Sequence, residues 1–144
     1  MEAKFLTFTL LISKLSREIR KIKTKEVLEY NLSSPHVTII YLIYKNKGLT
    51  LKNVCDVTGE DKASISRSVE ALRKKGLISQ VDSNHYKNSI NLSEQGLFVA
   101  KQISEKIDSV VALASNGISE HDRQIMYKCL NVISNNLDSF SRGE

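Results

Sequence analysis

Three features of the sequence predict a mainly α-helical chain with a small β-wing. Apolar residues recur at helical spacing through most of its length. The punctuation is by Gly and by Ser or Thr at capping positions, with Pro occurring once. One turn-rich stretch, Asp82-Ser83-Asn84-His85-Tyr86-Lys87-Asn88, lies between two runs that read as short strands, residues 77–81 and 89–92. The expected organisation is a terminal helix in 1–32, a compact lobe carrying the wing in 33–92, and further helices in 93–144.

Residues 3–29 read as one long helix. Phe5, Phe8, Ile12, Leu15, Ile19 and Ile22 step by 3, 4, 3, 4 and 3, which is a heptad seam, and Leu6, Leu10 and Leu11 widen it. A helix this apolar must pack on something large. Lys14, Arg17, Arg20, Lys21, Lys23 and Lys25 crowd its second half. They read as a solvated face, with the lining of a cleft for an anionic effector as the alternative. Ser34-Pro35 then starts a helix, with Ser34 as the N-cap and Pro35 at the first helical position. Val37, Ile39, Ile40, Tyr41, Leu42, Ile43 and Tyr44 make it apolar nearly all round, so it belongs at the centre. His36 reads as a surface or hydrogen-bonded residue. After Asn46-Lys47-Gly48, Thr50 caps a short helix over residues 51–58, with Leu51, Val54 and Cys55 inward.

Val57-Thr58-Gly59-Glu60-Asp61 reads as a tight turn into the next helix. In that helix Ile65, Val69 and Leu72 share one face, and Gly76 supplies a stop. The other face carries Lys62, Ser64, Ser66, Arg67, Arg73, Lys74 and Lys75. Small hydroxyls let this end approach a base edge or a phosphate closely. Two helices joined by a Gly-containing turn, the second with a small, polar and basic face, are the helix-turn-helix signature.

Ser93 caps a helix running to about Ser115, whose apolar side is Leu97, Ala100, Ile103, Ile107, Val110, Val111 and Ala114. Asn116-Gly117 breaks it. Ser119 caps the last helix, with acids in its first turn. Met126, Leu130, Ile133, Leu137 and Phe140 step by 4, 3, 4 and 3, a second heptad seam. Seams at both ends of the chain predict a homodimer whose interface interlaces both termini; an intramolecular helix pair is the alternative.

The chain has 144 residues, enough to bury a core without disulfides. Cys55 and Cys129 have no metal spacing and read as reduced thiols, Cys55 as a small core hydrophobe. No run approaches the ~20 apolar residues of a membrane span. The start, with an acid at Glu2, has no signal-peptide pattern, so a cytoplasmic protein without membrane partners is expected. Net charge is +5, distributed as +3 over 1–32 (seven basic, four acidic), +4 over 33–92 (nine and five) and −2 over 93–144 (five and seven). The positive excess falls on the first helix and the helix-turn-helix lobe, which favours partners with phosphate backbones. An enzyme is poorly supported: His36, His85 and His121 stand apart, and no phosphate loop, His-Glu-x-x-His or nucleophile elbow is present.

Ser64-Ile65-Ser66-Arg67, Leu72 and Lys75-Gly76-Leu77-Ile78 resemble the recognition helix of the MarR family of winged helix-turn-helix regulators. Ile90-Asn91-Leu92-Ser93-Glu94-Gln95-Gly96 resembles that family's strand-to-helix junction, and the order of helices matches over nearly the whole chain. The resemblance implies a winged helix-turn-helix lobe with a helical dimerisation region formed by both termini. It implies a homodimeric transcription regulator of double-stranded DNA, a repressor by family habit, and a small-molecule effector, anionic or phenolic, bound between the lobes. The family's wing carries an Asp-Arg-Arg type run; this wing is shorter and holds no Arg. The family's peroxide sensors place a Cys on the first helix and its zinc sensors cluster His on the helix after the wing; neither is found in this sequence. On this reading Ser64, Ser66 and Arg67 contact the major groove, Lys62, Lys74 and Lys87 hold backbone phosphate, Thr50 and Lys52 lie near the groove edge, and His85 sits on the wing. No cofactor or metal is expected. The alternative is a winged-helix protein-interaction module that leaves DNA alone.

Overall fold

The computed structural model describes residues 4–80 and 88–144, with side chains from residue 7 onward. Six α-helices follow in order among the described residues: α1 (Lys4–Glu26), α2 (Ser34–Lys45), α3 (Leu51–Thr58), α4 (Lys62–Lys74), α5 (Glu94–Ala114) and α6 (Glu120–Ser141). The architecture is a winged helix-turn-helix, mainly α with very little β structure. The chain forms two compact units, Met1–Ile107 and Asp108–Glu144.

The core of the first unit is built on α2, where Val37, Ile39, Ile40 and Ile43 are buried. Ile65, Val69 and Leu72 of α4, Val54 of α3 and Val99, Ala100 and Ile103 of α5 close around the same core. Each such side chain, taken out of water, contributes about 1.5–3 kcal/mol before the cost of ordering it.

Between α1 and α2 the structure corrects the expectation of a helix to residue 29. α1 ends at Glu26, and a 3₁₀ turn over Leu28–Tyr30 follows. Val27 is completely buried, and Tyr30 donates to the Val27 carbonyl at 3.0 Å instead of continuing the α-helix. The Glu26 carbonyl is taken by Lys106 Nζ at 3.1 Å, and the same ammonium bonds the Glu29 carboxylate at 2.5 Å. Asn31 closes the turn in the left-handed region at φ 53°. α2 begins one residue earlier than expected. Ser33, not Ser34, is its N-cap, because Val37 donates to the Ser33 carbonyl at 3.0 Å; Pro35 falls in the first turn, where the N–H it lacks would have had no helical partner.

The β structure is also sparser than two strands. Among the described residues the pairings are two antiparallel bridges, Ile78 with Leu92 and Ser89 with Thr50. Beside the first bridge the Ser79 amide bonds the Asn91 carbonyl at 2.8 Å, but the carbonyls next to the bridges are taken by side chains: Arg73 Nε donates to the Ser79 carbonyl at 3.3 Å, and Asn91 Nδ2 to the Ser89 carbonyl at 3.3 Å. Val81 and the turn 82–87, with His85 and Lys87, lie outside the described residues.

On α1, Phe8, Ile12, Leu15, Ile19 and Ile22 all face solvent within the single chain; Phe5 lies outside the described side chains. Most of its cations are exposed as expected, but Lys23 is half-buried and donates to Thr38 Oγ1 at 2.8 Å. Burial holds its ammonium below the usual lysine range. In the second unit, Ser119 accepts from the Asp122 amide at 3.1 Å and starts α6 as predicted. Met126, Leu130, Leu137 and Phe140 of α6 are exposed.

Ser93 sets the start of α5, accepting from the Gly96 amide at 3.0 Å and donating its own N–H to the Leu77 carbonyl at 3.0 Å. Gly96 presses against that same carbonyl: a Cβ there would lie 1.9 Å from Leu77 O. Gly96→Ala therefore forces backbone apart at the exit of α4. We expect a loss of at least about 1–3 kcal/mol in urea unfolding; an unchanged midpoint would show that the junction yields freely.

Candidate nucleic-acid interface

The two helices of the motif are fixed by their own caps. Thr50 Oγ1 accepts from the Asn53 amide at 3.2 Å, and Asn53 Oδ1 accepts from the Thr50 amide at 2.9 Å, a reciprocal capping box at the start of α3. Gly59 ends α3 in the left-handed region at φ 74°, where a side chain would be strained. Asp61 then caps α4, its carboxylate accepting from the Ser64 amide at 2.7 Å. A carboxylate at this position also favours the positive end of the helix.

The structure brings three of the sequence-predicted residues, Thr50, Lys52 and Lys62, together at one groove. Lys52 and Lys62 are exposed and line an open groove of about 650 Å³ with Thr50, Leu51, Cys55 and Asn88. The Thr50 hydroxyl is committed to the cap: it also donates to Asn53 Oδ1 at 2.8 Å. Ser64 and Ser66 are half-buried on opposite flanks of α4, and Ser66 borders a second, smaller groove of about 230 Å³ against Asn88 and Ser89. Arg67 and Lys74 are exposed on the outermost face and make no ion pair among the described residues. His85 and Lys87 fall outside the described residues.

Two cations of the same helix are used inward. Arg73 pairs with Glu70 through Nη1 and reaches the Ser79 carbonyl through Nε, with its side chain only 25% exposed. Lys75 donates to the Asn31 carbonyl at 3.1 Å, tying the end of the helix to the turn after α1. Cys55 is half-buried in the groove rather than in the core centre. Sequence reasoning missed one residue here: Asp61, which was legible as an Asp three residues before a small polar residue at a helix start. Asn88, which ends the turn-rich stretch, stands exposed at φ 64° and borders both grooves.

His36 lies near Lys75, and its Nδ1 is buried with no hydrogen-bond partner among the described residues. Burial first, and the Lys75 charge second, pull its pKa below the ordinary 6.5. The folded state therefore holds a neutral imidazole, while the unfolded chain takes up a proton as pH falls past 6.5. Stability is present above that value and declines as pH falls towards the lowered folded value. His36→Gln should flatten this decline in thermal unfolding measured between about pH 7 and pH 5; parallel profiles for the two proteins would assign the decline to other groups.

Comparisons with known proteins agree with this geometry. The model of the MarR family matches residues 30–85. A MarR/EmrR family transcriptional regulator from Acinetobacter sp. ADP1 has a similar structure, with TM-score 0.81 at 20% identity over 96% of this chain and 99% of that one. The S. aureus MepR–DNA complex gives TM-score 0.79 at 18% identity, over 94% and 99%. A protein from Listeria monocytogenes described as a MarR family transcriptional regulator and complexed with 26mer DNA gives 0.78 at 22% identity, over 92% and 93%. A search of curated protein sequences finds no match.

Proposed function

We propose, from the match of residues 30–85 to the model of the MarR family, that the protein is a cytoplasmic, homodimeric transcriptional repressor that binds an inverted-repeat operator. The observation that carries the reading is the outer face of α4. Arg67 and Lys74 stand there exposed and without an ion-pair partner among the described residues, while Lys52 and Lys62 line the groove at the start of the helix. Cations on an exposed helix face, with no ion-pair partner among the described residues, suit a polyanion that the helix enters. Two proteins of similar fold were solved with DNA, which supports the same partner. Arg67 is the residue assigned to base reading, with Ser64 and Ser66 on its flanks; Lys52, Lys62 and Lys74 grip phosphate. Residues 1–32 and 93–144 supply the dimerisation region around the lobe 33–92. A small anionic or phenolic molecule that shifts the dimer away from its DNA-bound geometry completes the proposal.

Binding should weaken steeply with salt on random duplex DNA, because phosphate contacts release counterions. A slope near zero would favour a protein-interaction module instead. Arg67→Ala should cost about 1–3 kcal/mol on the operator and narrow its gap to scrambled duplex. Equal weakening of both duplexes would reduce Arg67 to a phosphate clamp.

The dimer is supported by apolar seams left exposed on α1 and on α6 of a single chain. Two recognition helices related by a two-fold axis reach half-sites roughly 10 bp apart. Leu130→Glu together with Leu137→Glu places charge in an apolar interface, so the double variant should dissociate or unfold. A folded dimer of this variant in light scattering would remove α6 from the interface.

A further inference from the structure

We propose that Glu70 is a specificity-determining residue of the recognition helix, accepting a hydrogen bond from the amino group of a cytosine in the major groove. The inference rests on the DNA-binding reading above. Ala63, Arg67, Glu70 and Lys74 follow one another along α4 at steps of 4, 3 and 4, opposite the buried Ile65, Val69 and Leu72. The face offered to a polyanion therefore carries a carboxylate near its centre, about one turn from the exposed Arg67 on one side and the exposed Lys74 on the other. Such a group repels phosphate and weakens sequence-independent binding. It suits this position if it meets a base.

The carboxylate is also held in place. Arg73 bonds Glu70 Oε1 through Nη1, and Arg73 Nε donates to the Ser79 carbonyl at 3.3 Å. The anchoring side chain is 25% exposed, while that of Glu70 is 59% exposed. The fixed end is thus inside and the acceptor outside, with Oε2 unpartnered among the described residues. Glu70 borders the groove shared by Ser66, Asn88 and Ser89, at the root of the wing.

An ionised carboxylate only accepts hydrogen bonds. In the major groove cytosine offers its N4 amino donor and no acceptor; guanine offers N7 and O6, and thymine offers O4. Adenine pairs its donor with an N7 acceptor, which the carboxylate opposes. Cytosine is the matching base. An exposed pair three residues apart that merely supports the helix would act on every duplex alike.

The test is selection of bound sequences from a random duplex pool by the full chain, as wild type, Glu70→Gln and Glu70→Ala. Titrations at several salt concentrations and matched thermal midpoints accompany it. Wild type should favour cytosine at one position of each half-site by about fivefold to a hundredfold. Glu70→Gln should shift that position towards adenine, since an amide can bond both N6 and N7. Glu70→Ala should lose the preference while binding random duplex at least as tightly as wild type. Identical base profiles for all three proteins, with wild type binding in a salt-dependent way, would overturn the role of Glu70 alone. Wild type that binds no duplex would overturn the DNA-binding reading and this inference with it. Glu70→Gln keeps the side chain's shape, so if the alanine variant fails to fold, the base preference of the glutamine variant decides.

Discussion

The exit of α4 is the constraint on which the lobe depends. Leu77 and Ile78 both donate to the Leu72 carbonyl, at 3.0 and 3.4 Å, after Gly76 turns the chain at φ 77°. That turn buries Leu77 and Ile78 and aims the Leu77 carbonyl at the first turn of α5. Ser93 and Gly96 meet it there, one by a hydrogen bond and the other by having no side chain to obstruct it. A displacement of the recognition helix along its axis would strain this junction at once, because closely packed interiors have little free space to absorb it. The helix proposed to meet DNA and the helix leading out of the lobe are thereby coupled through backbone rather than through flexible side chains.

Cations divide by what they touch, and the division separates architecture from binding. Lys75, Lys106 and Arg73 all end on backbone carbonyls, of Asn31, Glu26 and Ser79 respectively. They hold the turn after α1 against both α4 and α5, and the wing root against α4. Lys106 also pairs with Glu29, which lowers the carboxyl and raises the ammonium; both stay ionised around neutral pH. That attraction would fade only as pH falls through the lowered Glu29 value or rises through the raised Lys106 value. Lys52, Lys62, Arg67 and Lys74 have no such inward partner among the described residues, so they remain available to an external anion.

Periodicity made the helices legible. Ile65, Val69 and Leu72 fell on the buried face as their spacing required, and Thr50, Ser93 and Ser119 cap the helices they were expected to cap. The errors lie where a distant side chain decides. Nothing near Glu26 in sequence signals that Lys106, eighty positions on, will take its carbonyl and end α1 early. Among the described residues the wing strands are shorter than expected for a similar reason, since the Arg73 side chain takes the Ser79 carbonyl. In the candidate interface, residue type and face put forward Arg67, Lys74, Lys52 and Lys62, and all four are exposed. Sequence could not separate those on α4 from Arg73 and Lys75, which carry the same charge at the end of that helix but reach carbonyls. Glu70 was passed over because an acid on a basic helix reads as solubilising until its neighbours are seen.

The free cations also bear on why a single lobe is a poor reader of DNA. If each of the four cations neutralises one phosphate, the logarithmic salt slope of one lobe is about −3.6, and that of two lobes acting together about −7. The first value belongs to weak, easily displaced binding at physiological salt; the second approaches that of specific regulators. The wing sequence contains no Arg to strengthen one lobe by minor-groove insertion. The proposed second copy would double the contacts, and its lobe would act at the high effective concentration that linkage of two sites gives. The apolar seams on α1 and α6 would thus serve recognition as well as stability. A ligand that altered only the spacing of the two lobes would discard the second half of the slope without touching a single DNA-contacting side chain.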